Sequence, residues 1–206
     1  MIKLHKDGGD PVQFLFNTED TAQMYAEGKG KYPDAPAKCP HKECHSPVKM
    51  KKHGFYTRYV MVIGFSGDIR IRRYLCPACG GTVSMLPSFC VPRFQYGVEV
   101  IILSLLIAMK YKSVRYAGTQ WKKRPENLTR RHILYYRKKV ILNRLRIQLA
   151  LNQVSPAFVD LQQIAGDLDW TREFLKAATY IKPPQFNASY HNLTGNSFMS
   201  LQNNVA

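Results

Sequence analysis

Acidic residues are scarce in this chain of 206 residues: 14 Asp and Glu stand against 30 Lys and Arg, which gives a formal charge of +16. Such an excess of one sign repels itself in a compact protein and attracts polyanions. The composition therefore favours a nucleic-acid partner, and an anionic membrane surface is the second class to consider.

Long apolar segments are also lacking. The most apolar run, VEVIILSLLIAM at 98–109, contains Glu99 and is shorter than the roughly 20 residues that a bilayer-spanning helix needs. We interpret it as a core helix. The opening residues, MIKLHKDGGDPVQF, contain no apolar stretch with a small-residue cleavage site. We therefore expect a cytoplasmic protein with no membrane attachment, in which cysteines stay reduced.

Four of the five cysteines form two close pairs, in CPHKEC at 39–44 and in CPACGG at 76–81. Cysteine pairs with about two to four intervening residues each fill two corners of a tetrahedral Zn²⁺ site. The proline shapes the second turn, and its glycines let backbone N–H groups point at sulfur. We predict a zinc ion held by Cys39, Cys44, Cys76 and Cys79. Four thiolates leave no open coordination position, so this zinc is structural and we expect no enzymatic activity.

Other interpretations of the cysteines are less favoured. A thioredoxin-type redox pair requires a βαβ context, which the pattern does not show, and a reducing compartment disfavours disulfides. His41 and His45 lie in or beside the first pair and are alternative ligands. Cys90 stands apart in an apolar connector, where a small buried hydrophobic residue is the usual interpretation.

The segment between the two cysteine pairs predicts a β-hairpin. Residues 56–63 and 69–75 are rich in Tyr, Val, Ile and Arg with partial alternation, and GFSGD at 64–68 supplies a longer loop. Two cysteine turns at the outer ends of such strands form a zinc ribbon. A short strand or helix is expected in the lead-in before residue 37, and 82–95 is expected to be a proline-punctuated connector.

The pattern becomes helical after the connector. It predicts helices at 96–109 and from Ser113 to Trp121, then a long helix at 128–151 with Leu134, Ile141 and Leu145 at helical spacing and Ile133 and Val140 beside them. Ser155-Pro156 opens a further helix, with Phe158, Leu161 and Ile164 on one face and Gly166 at its end. A short helix follows in DWTREFLKAATYI, and the tail from Lys182 is expected to be partly extended.

These elements predict an α+β protein in which a small β zinc ribbon precedes an all-α helix-turn-helix region. The predicted divisions are a lead-in and linker at 1–37, the ribbon and its connector at 38–95, the helix-turn-helix region at 96–151, and C-terminal helices and a tail at 152–206.

Positive charge is concentrated in the helical region. Thirteen residues between 101 and 147 are Lys or Arg, and Glu126 is the only acid there, which is typical of a phosphate-binding surface. In a helix-turn-helix the later helix enters the major groove with its N-terminal end first. The candidate nucleic-acid contacts are Arg115, Lys122, Lys123, Arg124, Thr129, Arg130, Arg131, His132, Tyr135, Arg137 and Lys138. Further cations on the ribbon offer a second contact surface, namely Lys49, Lys51, Lys52, Arg58, Arg70, Arg72 and Arg73.

The order of these motifs resembles a known family. A cysteine pair, HGFY, a strand, IRIRRYLCPACGGTVSMLPSF and a basic helical segment are together similar to the zinc-ribbon and helix-turn-helix segment of insertion-sequence transposases and their accessory proteins. The likeness covers roughly 39–145, about half of the chain. It implies recognition of mobile-element DNA, with zinc on the four paired cysteines and the DNA contacts within 113–138.

The chain departs from a full transposase in its last third. The remaining acids, Asp160, Asp167, Asp169 and Glu173, crowd into one helical segment, whereas the family's catalytic domain separates three carboxylates that bind two metal ions. We therefore expect a non-catalytic DNA-binding accessory protein of a mobile element, which binds duplex DNA and a separate transposase or recombinase. The alternatives are a transcription regulator with the same modules and an RNA-binding zinc-ribbon protein. The sequence gives no oligomeric state.

Overall fold

The computed structural model describes residues 12–41, 43–111, 125, 127–154 and 166–200. Over these residues the chain forms four strands and six helices, and the predicted α+β class is confirmed. The chain divides into two compact units. The first unit comprises the described residues of Met1–Tyr59 and Gly67–Pro87, and the second comprises those of Val60–Ser66 and Ser88–Ala206.

A four-stranded sheet runs through the first unit. In chain order its elements are β1 (Val12–Phe16), helix α1 (Ala22–Ala26), β2 (Lys51–Val62), β3 (Phe65–Leu75) and β4 (Thr82–Pro87). The strand order is β1-β4-β3-β2, so β4 is central. β4 pairs antiparallel with β3 and parallel with β1, which lies in the predicted lead-in.

Strand alternation gives one face of this sheet a small apolar cluster. Tyr74 lies opposite Val83 in the β3–β4 register, and Met85 lies opposite Phe14 in the β1–β4 register. Side chains at such paired positions point to the same face. They pack with Met50 and with two of the predicted metal ligands, so the cysteine turns are part of the cluster.

The predicted hairpin is confirmed, but its turn is shorter than expected. β2 and β3 are joined at Ile63 and Gly64, and Gly64 adopts a φ of +79° that favours glycine. The GFSGD segment therefore continues as strand from Phe65 onward. The tip of the hairpin belongs to the second unit, where the Met61 N–H donates to Gln95 O at 2.8 Å and Met61 O accepts from the Gly97 N–H at 2.8 Å.

The predicted connector at 82–95 is partly wrong, because 82–87 form β4. Residues 83–87 of this strand are all buried. A strand that is buried on both faces reads as a continuous apolar run and has no alternation to reveal it. The prolines at 87 and 92 made the segment look like a loop.

Five helices build the second unit: α2 (Val98–Lys110), α3 (Arg130–Leu142), α4 (Arg144–Val154), α5 (Asp167–Ile181) and α6 (Pro183–Thr194). The interpretation of 98–109 as a core helix is confirmed, since Val98, Val100, Ile101 and Ile102 are at most 1% exposed. α2 packs against α3, α5 and α6. Among the described residues, no helix has both the length and the apolar character that crossing a membrane requires.

The predicted long helix at 128–151 is two helices that meet at Asn143. The Asn143 side-chain amide donates to Lys139 O at 3.1 Å, to Phe198 O at 2.8 Å and to Ser200 O at 3.0 Å. The predicted apolar positions are right only in part, because Leu134 and Leu145 are 44% and 66% exposed, whereas Ile133 and Val140 beside them are buried. Ile133, Tyr136, Val140 and Ile147 face the core instead.

The predicted extended tail is wrong as well, because α6 occupies 183–194. Proline at the start of a helix removes no internal hydrogen bond, so the Pro183-Pro184 pair opens this helix without cost. Phe186 and Phe198 pack edge to face with their ring centroids 5.4 Å apart. Gly166 is the N-cap of α5. The predicted helices at 113–121 and from Pro156 to 165 lie outside the described residues.

Candidate metal centre and nucleic-acid interface

The four paired cysteines converge in the first unit, on the two turns that flank the hairpin. The sulfur atoms of Cys39 and Cys79 are 3.8 Å apart, and those of Cys44 and Cys76 are also 3.8 Å apart. All four sulfurs lie within 4.8 Å of one another. Zn–S bonds of about 2.3 Å place the sulfurs of a tetrahedral site about 3.8 Å apart, so the cluster has the dimensions of such a site.

Backbone hydrogen bonds hold both turns in shape. In the first turn the Cys44 N–H donates to His41 O at 3.0 Å. In the second turn the Gly80 N–H donates to Cys76 O at 2.9 Å, and the Gly81 N–H donates to the sulfur of Cys79 at 3.4 Å. Gly80 has a φ of +71°, where a side chain is disfavoured. These hydrogen bonds fix the backbone of both turns around the sulfur cluster.

The electrostatics of the cluster favour one thiolate over the others. Burial raises the pKa of Cys39 to about 12. Burial also raises the pKa of Cys76, but the backbone N–H groups of Cys79 and Ala78, together with the thiols of Cys39 and Cys79, outweigh it and lower that pKa to about 7. A metal ion binds the thiolate form, so Cys76 is a more readily ionised ligand than Cys39.

The two neighbouring histidines lie beside the sulfur cluster, outside it. The Nε2 atom of His41 is 3.3 Å from Thr82 O. A Cβ on Gly81 would lie 2.5 Å from that Nε2 atom, so the imidazole packs on the bare backbone of Gly81. His45 is exposed. Cys90 is 1% exposed and does not belong to the cluster, as its apolar surroundings predicted.

The predicted recognition helix corresponds to α3, and its exposed arc is strongly basic. Arg130, Arg131, Arg137 and Lys138 are all exposed. At 100° per residue they fall within one arc of about 120°, and the 13 residues of α3 include no acid. The opposite arc carries Ile133, Tyr136 and Val140 into the core of the second unit. The cations therefore share one face of a helix that is anchored on its other face.

Two predicted contact residues are engaged within the protein at the start of α3. The Thr129 N–H donates to His132 Nδ1 at 3.1 Å, which satisfies a backbone donor ahead of the first turn. The His132 ring packs edge to face on Tyr96 at 5.3 Å and stacks on Tyr136 at 6.2 Å. These contacts make His132 part of the support of the helix.

Tyr135 and Lys139 complete this part of the surface. Tyr135 is 44% exposed, and its ring centroid lies 6.1 Å from that of Phe94. Lys139 is 8% exposed, with its Nζ atom 5.1 Å from the Tyr135 ring, so it does not add to the exposed charge. The predicted contacts Arg115, Lys122, Lys123 and Arg124 lie outside the described residues.

Two arginines lie over an aromatic ring in the first unit. The sequence predicts Arg70 and Arg72 as cations of the ribbon. The structure also places their guanidinium carbons 4.6 Å and 3.9 Å from the centre of the Phe55 ring, which the sequence does not predict. The i, i+2 spacing of the two arginines in a strand was the signal that they share a face. No sequence pattern places Phe55 of the neighbouring strand against them.

Comparison of the chain with protein-family models, with curated proteins and with solved structures finds no match.

Proposed function

We propose that this protein is a non-catalytic, zinc-containing DNA-binding accessory protein of a mobile genetic element. It binds duplex DNA through the exposed arc of α3, and the zinc stabilises the first unit. The DNA-binding part of the proposal is supported mainly by the exposed arc of α3. This arc has four exposed cations, α3 contains no acid, and the opposite face of the helix is buried and holds it in place.

The position of each cation along α3 determines whether it contacts a base or a phosphate in this proposal. An α-helix fits the major groove of B-DNA, and the N-terminal residues of a recognition helix reach base edges. Arg130 and Arg131 occupy the first two positions of α3, so they are the base contacts in this proposal. Arg137 and Lys138 lie two turns further along and contact phosphates. Thr129 and His132 position the start of the helix.

Zinc is the metal that fits the sulfur cluster best. Tetrahedral sites with four sulfur ligands hold zinc or iron, and the second turn has the two-residue spacing of a zinc knuckle, while the first has four intervening residues, within the usual range. All four ligand positions are occupied by protein thiolates, so the ion has a structural role. Elemental analysis of the purified protein should give one zinc per chain, and one iron instead would replace zinc in the proposal.

The mobile-element context is supported by the resemblance of 39–145 to insertion-sequence proteins. The partner that supplies catalysis is a separate transposase or recombinase. A transcription regulator would have the same modules, and sequencing of the DNA recovered with the protein from its host separates the two. Fragments from the ends of a repeated element support the proposal, and fragments from promoters alone contradict it.

The DNA-binding test compares variants along α3 at several salt concentrations. Arg130→Ala and Arg131→Ala should each weaken binding to the recovered site by about 1–3 kcal/mol, because each removes a base contact. Arg137→Ala and Lys138→Ala should weaken binding to all duplexes alike and reduce the salt slope by about 1 each.

Arg172→Gln is the matched control. Arg172 lies on α5 and pairs with Asp169 at 3.0 Å, so its loss removes one exposed positive charge away from α3. Equal effects of all five variants would show that only net charge matters and would overturn the recognition-helix proposal. Tighter binding to structured RNA than to duplex DNA at the same salt concentration would favour the RNA-binding alternative.

A further inference from the structure

The first unit contains a cavity of about 300 Å³ at the basic face of the hairpin. Its walls include Tyr25, Tyr32, Lys52, Phe55, Arg70 and Arg72. The volume lies at the lower end of the range of about 300–1,000 Å³ for ligand sites. The cavity is separate from the sulfur cluster, and none of its residues belongs to α3.

The cations of the cavity are available to an anion. Arg70 and Arg72 alternate along β3 with Ile69 and Ile71, which are fully buried, so both arginines point to the cavity side. Within the described part of the chain neither forms an ion pair with a carboxylate. Lys52 on β2 adds a third cation, against the single carboxylate of Asp34.

The aromatic side of the cavity is formed by three rings in edge-to-face contact. The Phe55 ring lies edge to face with Tyr32 at 5.7 Å, and Tyr32 lies edge to face with Tyr25 at 5.2 Å. Both guanidinium groups lie over the Phe55 ring, so the ring supports two cationic groups that are themselves planar. Nucleic-acid bases stack on aromatic rings and on guanidinium planes of this kind.

Hydrogen bonds hold the aromatic walls in place. The Tyr25 O–H donates to Lys31 O at 2.9 Å, the Tyr74 O–H donates to Pro33 O at 2.9 Å, and the Tyr32 O–H donates to Arg70 O. A Cβ on Gly30 would lie 2.3 Å from a ring carbon of Tyr25, so the chain can follow the ring only with glycine there. A preformed wall loses little conformational entropy when it binds a ligand.

We propose that this cavity binds one unpaired nucleotide of a nucleic-acid strand. The base stacks on the guanidinium groups that the Phe55 ring supports, and the phosphate is bound by Lys52 together with Arg70 and Arg72. The carboxylate of Asp34 accepts a hydrogen bond from an N–H group of the base, such as N3–H of thymine. The combination of stacking surface and cations distinguishes this site from a site for inorganic phosphate, which needs no aromatic wall. The proposal does not depend on duplex binding by α3, because it concerns other residues in the other unit.

The test uses the full zinc-loaded chain and a fluorescently labelled pentathymidylate, with anisotropy as the readout. Phe55→Leu should weaken binding about 10-fold, within the range of roughly 5- to 150-fold per stacked base. Lys52→Gln should weaken it by a few-fold, whereas Lys51→Gln should have a smaller effect. Lys51 is the matched control, because it is exposed on the same strand, carries the same charge and does not line the cavity.

Further measurements separate a loss of nucleotide binding from misfolding and from a loss of duplex binding. Zinc content and the unfolding midpoint are measured for every variant, and Arg72→Gln, which leaves the aromatic wall intact, replaces Phe55→Leu if that variant does not fold. Competition by thymidine monophosphate shows whether a free nucleotide suffices or a strand is needed. A blunt-ended duplex should bind Phe55→Leu as well as it binds the unaltered protein, so failure here is distinguishable from failure of the α3 proposal.

Three results would overturn the proposal. One is equal affinity of Phe55→Leu, Arg72→Gln and the unaltered protein for the oligonucleotide. Another is an equal effect of Lys51→Gln and Lys52→Gln. The third is tighter binding of a phosphotyrosine peptide than of the oligonucleotide, which would assign the cavity to a protein partner.

Discussion

The two units of the molecule are stabilised in different ways. Among the described residues, the apolar cluster around the cysteine turns of the first unit has six buried members, and two of them are cysteines of the sulfur cluster. Leu15, Ile69, Ile71 and Leu86 are buried elsewhere in that unit. Within the described part of the second unit, the core contains 25 buried residues, among them Phe174, Phe186 and Phe198. A small unit with little apolar surface to bury commonly needs a metal or a disulfide, whereas a larger one does not. The comparison predicts that metal removal and core truncation act on different halves of the chain.

Loss of a cysteine ligand should have the largest effect. Cys76→Ser opens the sulfur cluster, and structural zinc contributes an apparent binding free energy of about 10–16 kcal/mol in zinc-finger peptides. We expect loss of zinc and loss of amide-exchange protection in β3 and β4, while α5 and α6 stay protected. Cys90→Ala is the control, since Cys90 is buried outside the cluster and its loss should leave zinc bound. Full zinc content in Cys76→Ser would contradict the assignment.

Truncation of the helical core should come next and should spare the metal. Phe174 is fully buried and stacks on Trp170 at 5.6 Å, so Phe174→Ala should destabilise the second unit by about 3–5 kcal/mol in urea unfolding. Zinc content should not change. Tyr180→Ala on the same helix removes a ring that is 80% exposed and should cost little. Zinc loss in Phe174→Ala would show that the two units do not depend on separate forms of stabilisation.

A smaller effect is expected from the polar contact at the break between α3 and α4. Asn143→Ala leaves the carbonyls of Phe198 and Ser200 without their side-chain donor, and an unsatisfied buried polar group costs about 1–3 kcal/mol. Urea unfolding of the second unit measures this loss. Gln153→Ala on α4 is the control because its side chain is exposed. A ΔΔG near zero for Asn143→Ala would mean that water replaces the amide.

The smallest predicted effect concerns a half-buried carboxyl in the second unit. Burial raises the pKa of Glu99 above its usual value. The folded state therefore binds more protons than the unfolded state between the two pKa values, so this group lowers stability as pH rises through that interval. Glu99→Gln should slightly raise the unfolding midpoint at pH 7 and flatten its pH dependence. The effect is small because the start of α2 favours negative charge.

A control for that prediction is Glu173→Gln, which removes an exposed ion pair with Lys176 and should give no gain. An unfolding midpoint that is the same for Glu99→Gln and the unaltered protein at pH 5 and pH 7 would show that Glu99 is not desolvated in solution.

The sequence predicted the metal turns and the hairpin because each has a local signal. A thiol pair at fixed spacing and a turn glycine act within a few residues, so the cysteine turns and the hairpin are predicted correctly, although the hairpin turn is shorter than expected. The core helix at 98–110 was found for a similar reason, since its apolar run is continuous.

What the sequence failed to predict depends on distant contacts. No local sequence signal predicts a helix break at Asn143. Two of the carbonyl oxygens that accept hydrogen bonds from its side chain lie more than fifty residues later in the chain. β4 lacked a signal because both of its faces are buried by other parts of the chain. The two prolines at the start of α6 predict a partly extended tail, although proline is well tolerated in the first turn of a helix.

The function proposed for the cavity on the hairpin also depends on distant contacts. The sequence shows each of its cations, but the stacking surface forms only where β2 and the segment after α1 meet β3. A pattern of charges along a chain can suggest that a polyanion binds. The three-dimensional arrangement is needed to distinguish contact with a phosphate from contact with a base.

The parallel pairing of β1 with β4 has a consequence for biosynthesis. Val12 pairs with Val83, so the first strand leaves the ribosome well before its neighbour exists. Until the second cysteine turn and β4 have been synthesised, the nascent segment has no partner and depends on chaperones or on its own polarity to avoid aggregation. Metal supply during translation would then set how soon the sheet can close.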